Sequence, residues 1–345
     1  MMKQQTTAFV LTKFGTPETA FSKETIEIDY NDDQVVVEVS AFGLNYADVM
    51  ARLGKYRETP PLPCVIGYEV VGRIAKVGKN CPENWIGKRV LAFTKFGGYA
   101  RFAVTEKQAF VEISDAISDE DALALCTQYV TAYYMSCYQS QVRAHDVVLV
   151  HAAAGGVGSG LVQLCKMNGA TVIAKVGTAE KVQRVKALGA DFAVNYHETD
   201  YTSAIRQFLG DRKLTFSFNP VGGDSFKKDF QLLGAGGKAV LFGGSALSDG
   251  KWGILSQLNF LRKMGRPIPA FMMMQSKSIL GVNMLKIALE QPQILEECMQ
   301  NVQQLFQEGK LKTFVDKVYT SDELTEAHHY LQSGKSMGKL VVKWI

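Results

Sequence analysis

The chemistry most plainly written in this chain lies in the small residues Ala152 to Gly158, AAAGGVG, directly after the apolar run Val147 to Val150. Gly155 has no side chain to hold a pyrophosphate off the backbone, free N–H groups of the following turn point at the anion, and Gly158 lets a helix pack closely on the strand. Against G-x-G-x-x-G, Ala153 stands in place of the first glycine. About twenty residues further on, where an Asp or Glu would hold the ribose 2′-hydroxyl of NAD, the chain has Gly177 and Thr178. No carboxylate there repels a 2′-phosphate, and Lys175, Lys181 and Arg184 supply positive charge. The pattern predicts a dinucleotide site that takes NADPH.

Such a turn works only between a strand and a helix. Val147 to Val150 is short, aliphatic and β-branched, as a parallel strand covered on both faces should be. Leu161, Val162, Leu164 and Cys165 repeat at helical spacing, Gly169 is placed to end that helix, and Thr171 to Val176 reads as the next strand. A lysine-rich helix ending at Leu188 and Gly189 follows, then a strand at Phe192 to Asn195 and a helix before Leu209. Further strands are expected at Leu214 to Phe218, Lys238 to Phe242 and Ser278 to Val282. The alternation predicts an α/β fold with a doubly wound parallel sheet.

Residues 8 to 110 read differently. Ala8 to Leu11, Val35 to Val39, Val70 to Val77, Arg89 to Phe93 and Tyr99 to Val104 are short strand-like runs broken by glycine and proline, which suggests a β-rich, barrel-like region. From Asp119 the pattern turns helical, and the changeover between domains is expected near there. Ser245 to Lys277 is irregular, with Trp252, a helical stretch near Leu255 to Leu261, Arg266 and the run Met272, Met273, Met274. Those methionines suit either a cleft for a flat apolar molecule or a helix buried against the other domain or across a dimer interface. The end of the chain predicts a helix at Pro292 to Glu308, a strand at Phe314 to Tyr319, a helix at Ser321 to Gln332 and a strand at Lys339 to Trp344, the strands returning to the first domain.

At 345 residues and 47% hydrophobic content the chain can build two cores. A balance of 38 basic to 34 acidic residues, net +4, argues against a nucleic-acid partner. No apolar run reaches the length of a membrane span, and the polar stretch Met1 to Thr7 resembles no signal peptide, so membrane insertion is not expected and a cytoplasmic location is. The six cysteines are scattered without C-x-x-C spacing, as reduced thiols would be.

Further motifs stand in a fixed order: Gly43-Leu44-Asn45-Tyr46-Ala47-Asp48, Gly54-Lys55-Tyr56, Gly67-Tyr68-Glu69-Val70-Val71-Gly72, Gly87-Lys88-Arg89-Val90, Gly97-Gly98-Tyr99-Ala100, Thr131-Ala132-Tyr133 and HAAAGGVG at 151–158. Leu188-Gly189-Ala190-Asp191, Asn195-Tyr196, Val221-Gly222-Gly223, Ala327-His328 and Gly338-Lys339 continue it. With these the chain resembles the zinc-independent, zeta-crystallin-like quinone oxidoreductases of the medium-chain dehydrogenase/reductase superfamily. Leu44 to Tyr56 and the segment after Ser245 look most like its vesicle amine transport protein branch.

The resemblance implies a GroES-like catalytic domain from residues 1–127 and 284–345 and a Rossmann domain from 128–283. It implies cofactor contacts at Asn45, Thr131, Gly155, Gly156, Val157, Gly177, Lys181, Tyr196, Phe242, Gly243, Ser245 and Lys335. It also places Asn45 and Tyr56 near the nicotinamide, Asn45 as a positioning amide and Tyr56 as the candidate proton donor or as a tyrosine that only shapes the pocket. Tyr46, Asp48, His328 and His329 are read as structural, and Asn219 replaces an aspartate common before the Val-Gly element. Zinc relatives carry a Gly-His-Glu where this chain has Gly67-Tyr68-Glu69, and a cysteine-rich loop that is missing after Arg89, so no metal is expected. Without a Lewis acid the natural acceptors are quinones and α,β-unsaturated carbonyls, already electron-poor. Homodimers are the family habit. The alternative reading is an NADPH-binding interaction protein with little turnover.

Overall fold

A computed structural model describes residues 1–247, 253–265 and 267–345; Trp252 and Arg266 lie outside the described residues. The chain divides into two compact units, Thr131–Asn283 and the combination of Met1–Val130 with Met284–Ile345.

The Thr131–Asn283 unit is a six-stranded sheet in which every pairing is parallel. Val147–His151 lies inside it, with Thr171–Val176 and then Phe192–Asn195 on one side. Leu214–Asn219, Leu233–Leu241 and Ser278–Gly281 follow on the other. This is the strand order of a dinucleotide-binding fold, whose crevice opens at the carboxyl ends of the strands on either side of Val147–His151. Its core joins Leu149, Ile173, Val194, Leu214 and Ala239 of the strands to Tyr201, Ile205 and Phe226 of the helices Tyr201–Leu209 and Asp224–Leu232. All residues of Val147–His151 are buried, as its apolar composition requires.

In the other unit a seven-stranded sheet is built around the long strand Gln34–Leu44, which pairs antiparallel with Glu69–Val77, Phe102–Glu106 and Lys339–Lys343. Lys339–Lys343 pairs in turn with Val315–Thr320, so the last strands do return to this β-rich region. The polar stretch Met1 to Thr7 is no loose lead-in: Met2–Leu11 is one strand, paired over its full length with Phe21–Tyr30. Expectation and structure also differ at Tyr99 to Val104, where the strand starts only at Phe102. The backbone before it bonds elsewhere: Tyr99 N donates to Ile66 O at 3.0 Å, and Tyr99 O accepts from Phe9 N at 2.9 Å.

Leu255 to Leu261 falls in the helix Gly253–Met264, and the methionine run in the helix Pro269–Gln275. Met273 and Met274 are 76% and 75% exposed.

Candidate active site

At the head of the glycine turn, Ala152 takes a left-handed φ of 48°, and Gly155 N closes the turn on Ala152 O at 2.9 Å. The helix Gly156–Met167 then starts with Gly155 as its N-terminal flank, so its first amides are aimed out of the turn. A Cβ on Gly158 would stand 2.3 Å from Ala152 O and 2.7 Å from Ala153 Cα, so only glycine lets helix and strand approach this closely. Across the strand end, Thr178 accepts from Lys181 N at 3.2 Å and caps the helix Ala179–Ala187, placing Lys181 in its first turn. A Cβ on Gly177 would lie 3.0 Å from the phenol oxygen of Tyr196. On the opposite side of Val147–His151, Phe242 N donates to Asn219 O at 3.4 Å and Ser245 N to Pro220 O at 3.0 Å. Gly243 lies against the same Pro220 carbonyl, which a Cβ there would approach to 2.7 Å. Gly155, Gly156, Val157, Gly177, Lys181, Tyr196, Phe242, Gly243 and Ser245 thus border the carboxyl edge of one sheet, and Thr131 is buried at the start of the same unit. An open cradle of amides, with Gly177 and Thr178 where a ribose-binding carboxylate would stand, fits a phosphorylated dinucleotide.

Beneath that edge is a polar cluster that the sequence did not announce. Asp229 receives Ser217 Oγ at 2.6 Å, Asn219 Nδ2 at 2.7 Å and Tyr201 Oη at 3.0 Å. His151 Nε2 stands 2.8 Å from the same carboxylate. The other ring nitrogen, Nδ1, lies 3.4 Å from Lys175 Nζ. Burial alone would raise the pKa of Asp229, but His151 and the hydrogen bonds outweigh it and hold the carboxyl below the usual range. Asn219 has a structural explanation here. Its Oδ1 accepts from Val221 N and Gly222 N at 2.8 and 3.0 Å while its amide donates to Asp229. An aspartate at 219 would set a second carboxylate against Asp229; the amide removes that repulsion.

In the other unit Asn45 precedes the helix Tyr46–Arg52, and its backbone N–H is held by Asp48 Oδ2 at 2.7 Å. Its side chain is committed to a buried ion pair. Nδ2 donates to Glu69 Oε1 at 2.8 Å, and Oδ1 accepts from Lys339 Nζ at 3.2 Å. Lys339 also pairs with Glu69 directly, and both side chains are wholly buried. The second oxygen of Glu69 accepts from Thr127 N at 2.6 Å, an amide set where the helical path breaks at Cys126 (ψ −107°). Lys339 was visible in the sequence only as part of a Gly-Lys pair; nothing local marked it as a buried cation.

Tyr56 is half-buried, its ring edge-on to Tyr68 at 6.2 Å between centroids. Burial, with Glu58 adding to it, pushes its phenol up to about 12. Lys335 is exposed in the segment ahead of the Lys339–Lys343 strand. Asn45, Tyr56 and Lys335 therefore belong to one unit and the nucleotide-turn residues to the other. Asp48 and His328 are both fully buried, Asp48 in its short helix and His328 in the helix Leu324–Gln332.

Among the described residues no group of three or more His, Cys, Asp or Glu side chains could hold a metal ion. Glu69 is spoken for by Lys339, Asn45 and Thr127, and the half-buried Cys64, its thiol pushed up by burial, has no companion ligands. Among the described residues, three protein ligands converging as a tetrahedral zinc site requires are not found. Among the described residues no helix is long and apolar enough to cross a membrane.

The fold is that of a nicotinamide-dependent dehydrogenase built from a GroES-like and a Rossmann unit. Residues 31–115 match the alcohol dehydrogenase GroES-like domain and residues 156–304 the zinc-binding dehydrogenase family. The human synaptic vesicle membrane protein VAT-1 homolog is 29% identical over 311 residues, 90% of this chain and 78% of that protein. Human quinone oxidoreductase is 27% identical over 333 residues, 96% of this chain and 95% of its own length. The crystal structure of Escherichia coli quinone oxidoreductase complexed with NADPH superposes with a TM-score of 0.85 at 27% identity, covering 98% of this chain and 99% of that one. The chain belongs to the medium-chain dehydrogenase/reductase superfamily, in the group that holds the quinone oxidoreductases.

Proposed function

We propose that this chain is an NADPH-dependent, zinc-independent oxidoreductase acting on quinones or α,β-unsaturated carbonyls. One observation carries the reading: the amide cradle at Gly155 to Gly158 is paired, at the next strand end, with Gly177 and Thr178 in place of a ribose-binding carboxylate. A 2′-phosphate is tolerated there, and the quinone oxidoreductase relatives favour an electron-poor acceptor over an alcohol. When bound, the reduced nicotinamide supplies a hydride to such an acceptor.

The chain's own residues bind, orient and protonate. The amides of Gly155, Gly156 and Val157 take the pyrophosphate, and Lys181 and Tyr196 face the 2′-phosphate at Gly177. Thr131, Phe242, Gly243 and Ser245 hold the nicotinamide half, and Lys335 adds positive charge near the phosphates. Asn45, fixed by Glu69 and Lys339, positions coenzyme and acceptor. Tyr56 donates its proton where negative charge develops on the acceptor oxygen, a role its raised pKa suits because the phenol stays protonated throughout the neutral range. A homodimer in the cytoplasm goes with the same reading, and sedimentation of the purified chain tests the dimer.

The decisive experiment follows NADPH absorbance against a panel of quinones and enones, with and without a chelator. Loss of absorbance that depends on the acceptor and ignores the chelator is the expected result. Tight NADPH binding without turnover on any acceptor would leave an interaction protein instead, and activity lost to the chelator would return zinc to the account.

A further inference from the structure

Lys175, at the carboxyl end of the Thr171–Val176 strand, is a cation with unusual surroundings. Its ammonium stands 4.7 Å from the ring centroid of Tyr196 and 4.3 Å from that of Tyr201, with His151 Nδ1 at 3.4 Å. Among the described residues no carboxylate lies within ion-pair distance of it. Asp229 lies on the far side of the His151 ring, and Lys228 stands on Tyr201 as well, at 5.7 Å. Burial lowers the pKa of Lys175, with Asp229 opposing and Lys228 adding to the shift. A cation that has lost water and gained two π faces and a ring nitrogen, with no carboxylate paired to it among the described residues, is under-compensated. The Tyr196 ring it rests on carries its phenol oxygen to Gly177.

We propose that Lys175, in addition to Lys181, selects a 2′-phosphorylated coenzyme, its ammonium set beside the His151–Asp229 pair and against the Tyr196 ring at Gly177. The inference rests on the NADPH reading and deepens it: Tyr196 supplies a hydrogen bond, and Lys175 the charge that makes a dianion preferable to a hydroxyl. His151 acts here as a positioning residue. One ring nitrogen stands 2.8 Å from Asp229 and the other 3.4 Å from the ammonium, so the ring bridges the two.

Calorimetric titration of the full chain with adenosine 2′,5′-bisphosphate and with adenosine 5′-monophosphate reads the 2′-phosphate alone, without turnover. The wild-type chain is expected to prefer the bisphosphate. Lys175→Met should weaken the bisphosphate roughly tenfold, the size of one charge-assisted contact, with the monophosphate unchanged. Lys175→Arg should keep most of the preference. Tyr196→Leu tests the same geometry at a side chain that is 46% exposed, and should also reduce the preference. A preference that survives Lys175→Met, or a loss shared equally by both nucleotides, overturns the assignment while leaving NADPH in place. A wild-type chain with no preference overturns the NADPH reading itself, and this inference with it.

Discussion

Asn45 donates its side-chain amide to Glu69 at 2.8 Å, and the same carboxylate oxygen is gripped by Lys339. The arrangement makes a candidate site residue a hydrogen-bonding bridge across a buried ion pair, so stability and positioning are coupled. Removing one partner leaves the other charge buried and unpaired, which costs about 3–5 kcal/mol. Lys339→Met should therefore lower the unfolding free energy by that amount in urea. The double variant Glu69→Gln with Lys339→Met should recover much of it, because no net charge is then stranded. A double variant as unstable as the single one would show that packing, not charge, holds this centre.

Two glycines separate the demands of packing from those of the coenzyme. At Gly158 an added methyl meets backbone atoms at 2.3 and 2.7 Å, and backbone cannot step aside. Gly158→Ala should cost about 1–3 kcal/mol in stability and remove coenzyme binding together. At Gly177 the obstacle is the phenol of Tyr196, an exposed and movable side chain at 3.0 Å. Gly177→Ala should leave the unfolding transition within about 0.5 kcal/mol and still weaken NADPH binding. Equal loss of stability in both variants, measured in urea beside a binding titration, would contradict this division.

The nucleotide unit could be read from sequence because its signals are local: buried parallel strands are unbroken apolar runs, and Val147 to Val150 sits directly against its glycine turn. The pair of strands Met2–Leu11 and Phe21–Tyr30 was half hidden, since several of its positions face water, and Lys3, Gln5, Lys23, Glu24 and Glu27 break up any clean apolar face. The centre of the other unit was not legible at all. Lys339 and Glu69 are 270 residues apart, and each reads alone as an ordinary surface charge. Asn219 and Asp229 are ten residues apart on a strand and a helix, so the exchange that makes the amide sensible appears only when the two elements pack.

Asp48 ties stability to pH. It is fully buried, and desolvation raises its pKa from 3.8 to about 7 against the opposing effects of the Asn45 N–H and Lys339. A carboxyl whose folded pKa lies above its unfolded one gives stability that is complete below pH 3.8 and is lost as pH rises through about 7. Asp48→Asn keeps an acceptor for the Asn45 amide and cannot ionise. Its stability relative to wild type should therefore rise between about pH 4 and 7, by an amount on the order of a few kcal/mol at full ionisation. Parallel stability curves for the two proteins across this window would place the ionisation elsewhere.

Tyr56 offers the sharpest test of the chemistry. Its phenol, pushed up to about 12, keeps its proton far above neutrality, so proton donation by this group predicts no break in kcat/KM between about pH 6 and 10. Tyr56→Phe retains the ring against Tyr68 and should change stability by less than about 1 kcal/mol. It should nevertheless lower kcat for an enone roughly a hundredfold, the usual scale for a lost general acid, with KM little altered. A quinone, whose two oxygens share the developing charge, should depend on the phenol less. If kcat for enone and quinone alike is untouched in the phenylalanine variant, Tyr56 only shapes the pocket, and the proton must come from water or from another group.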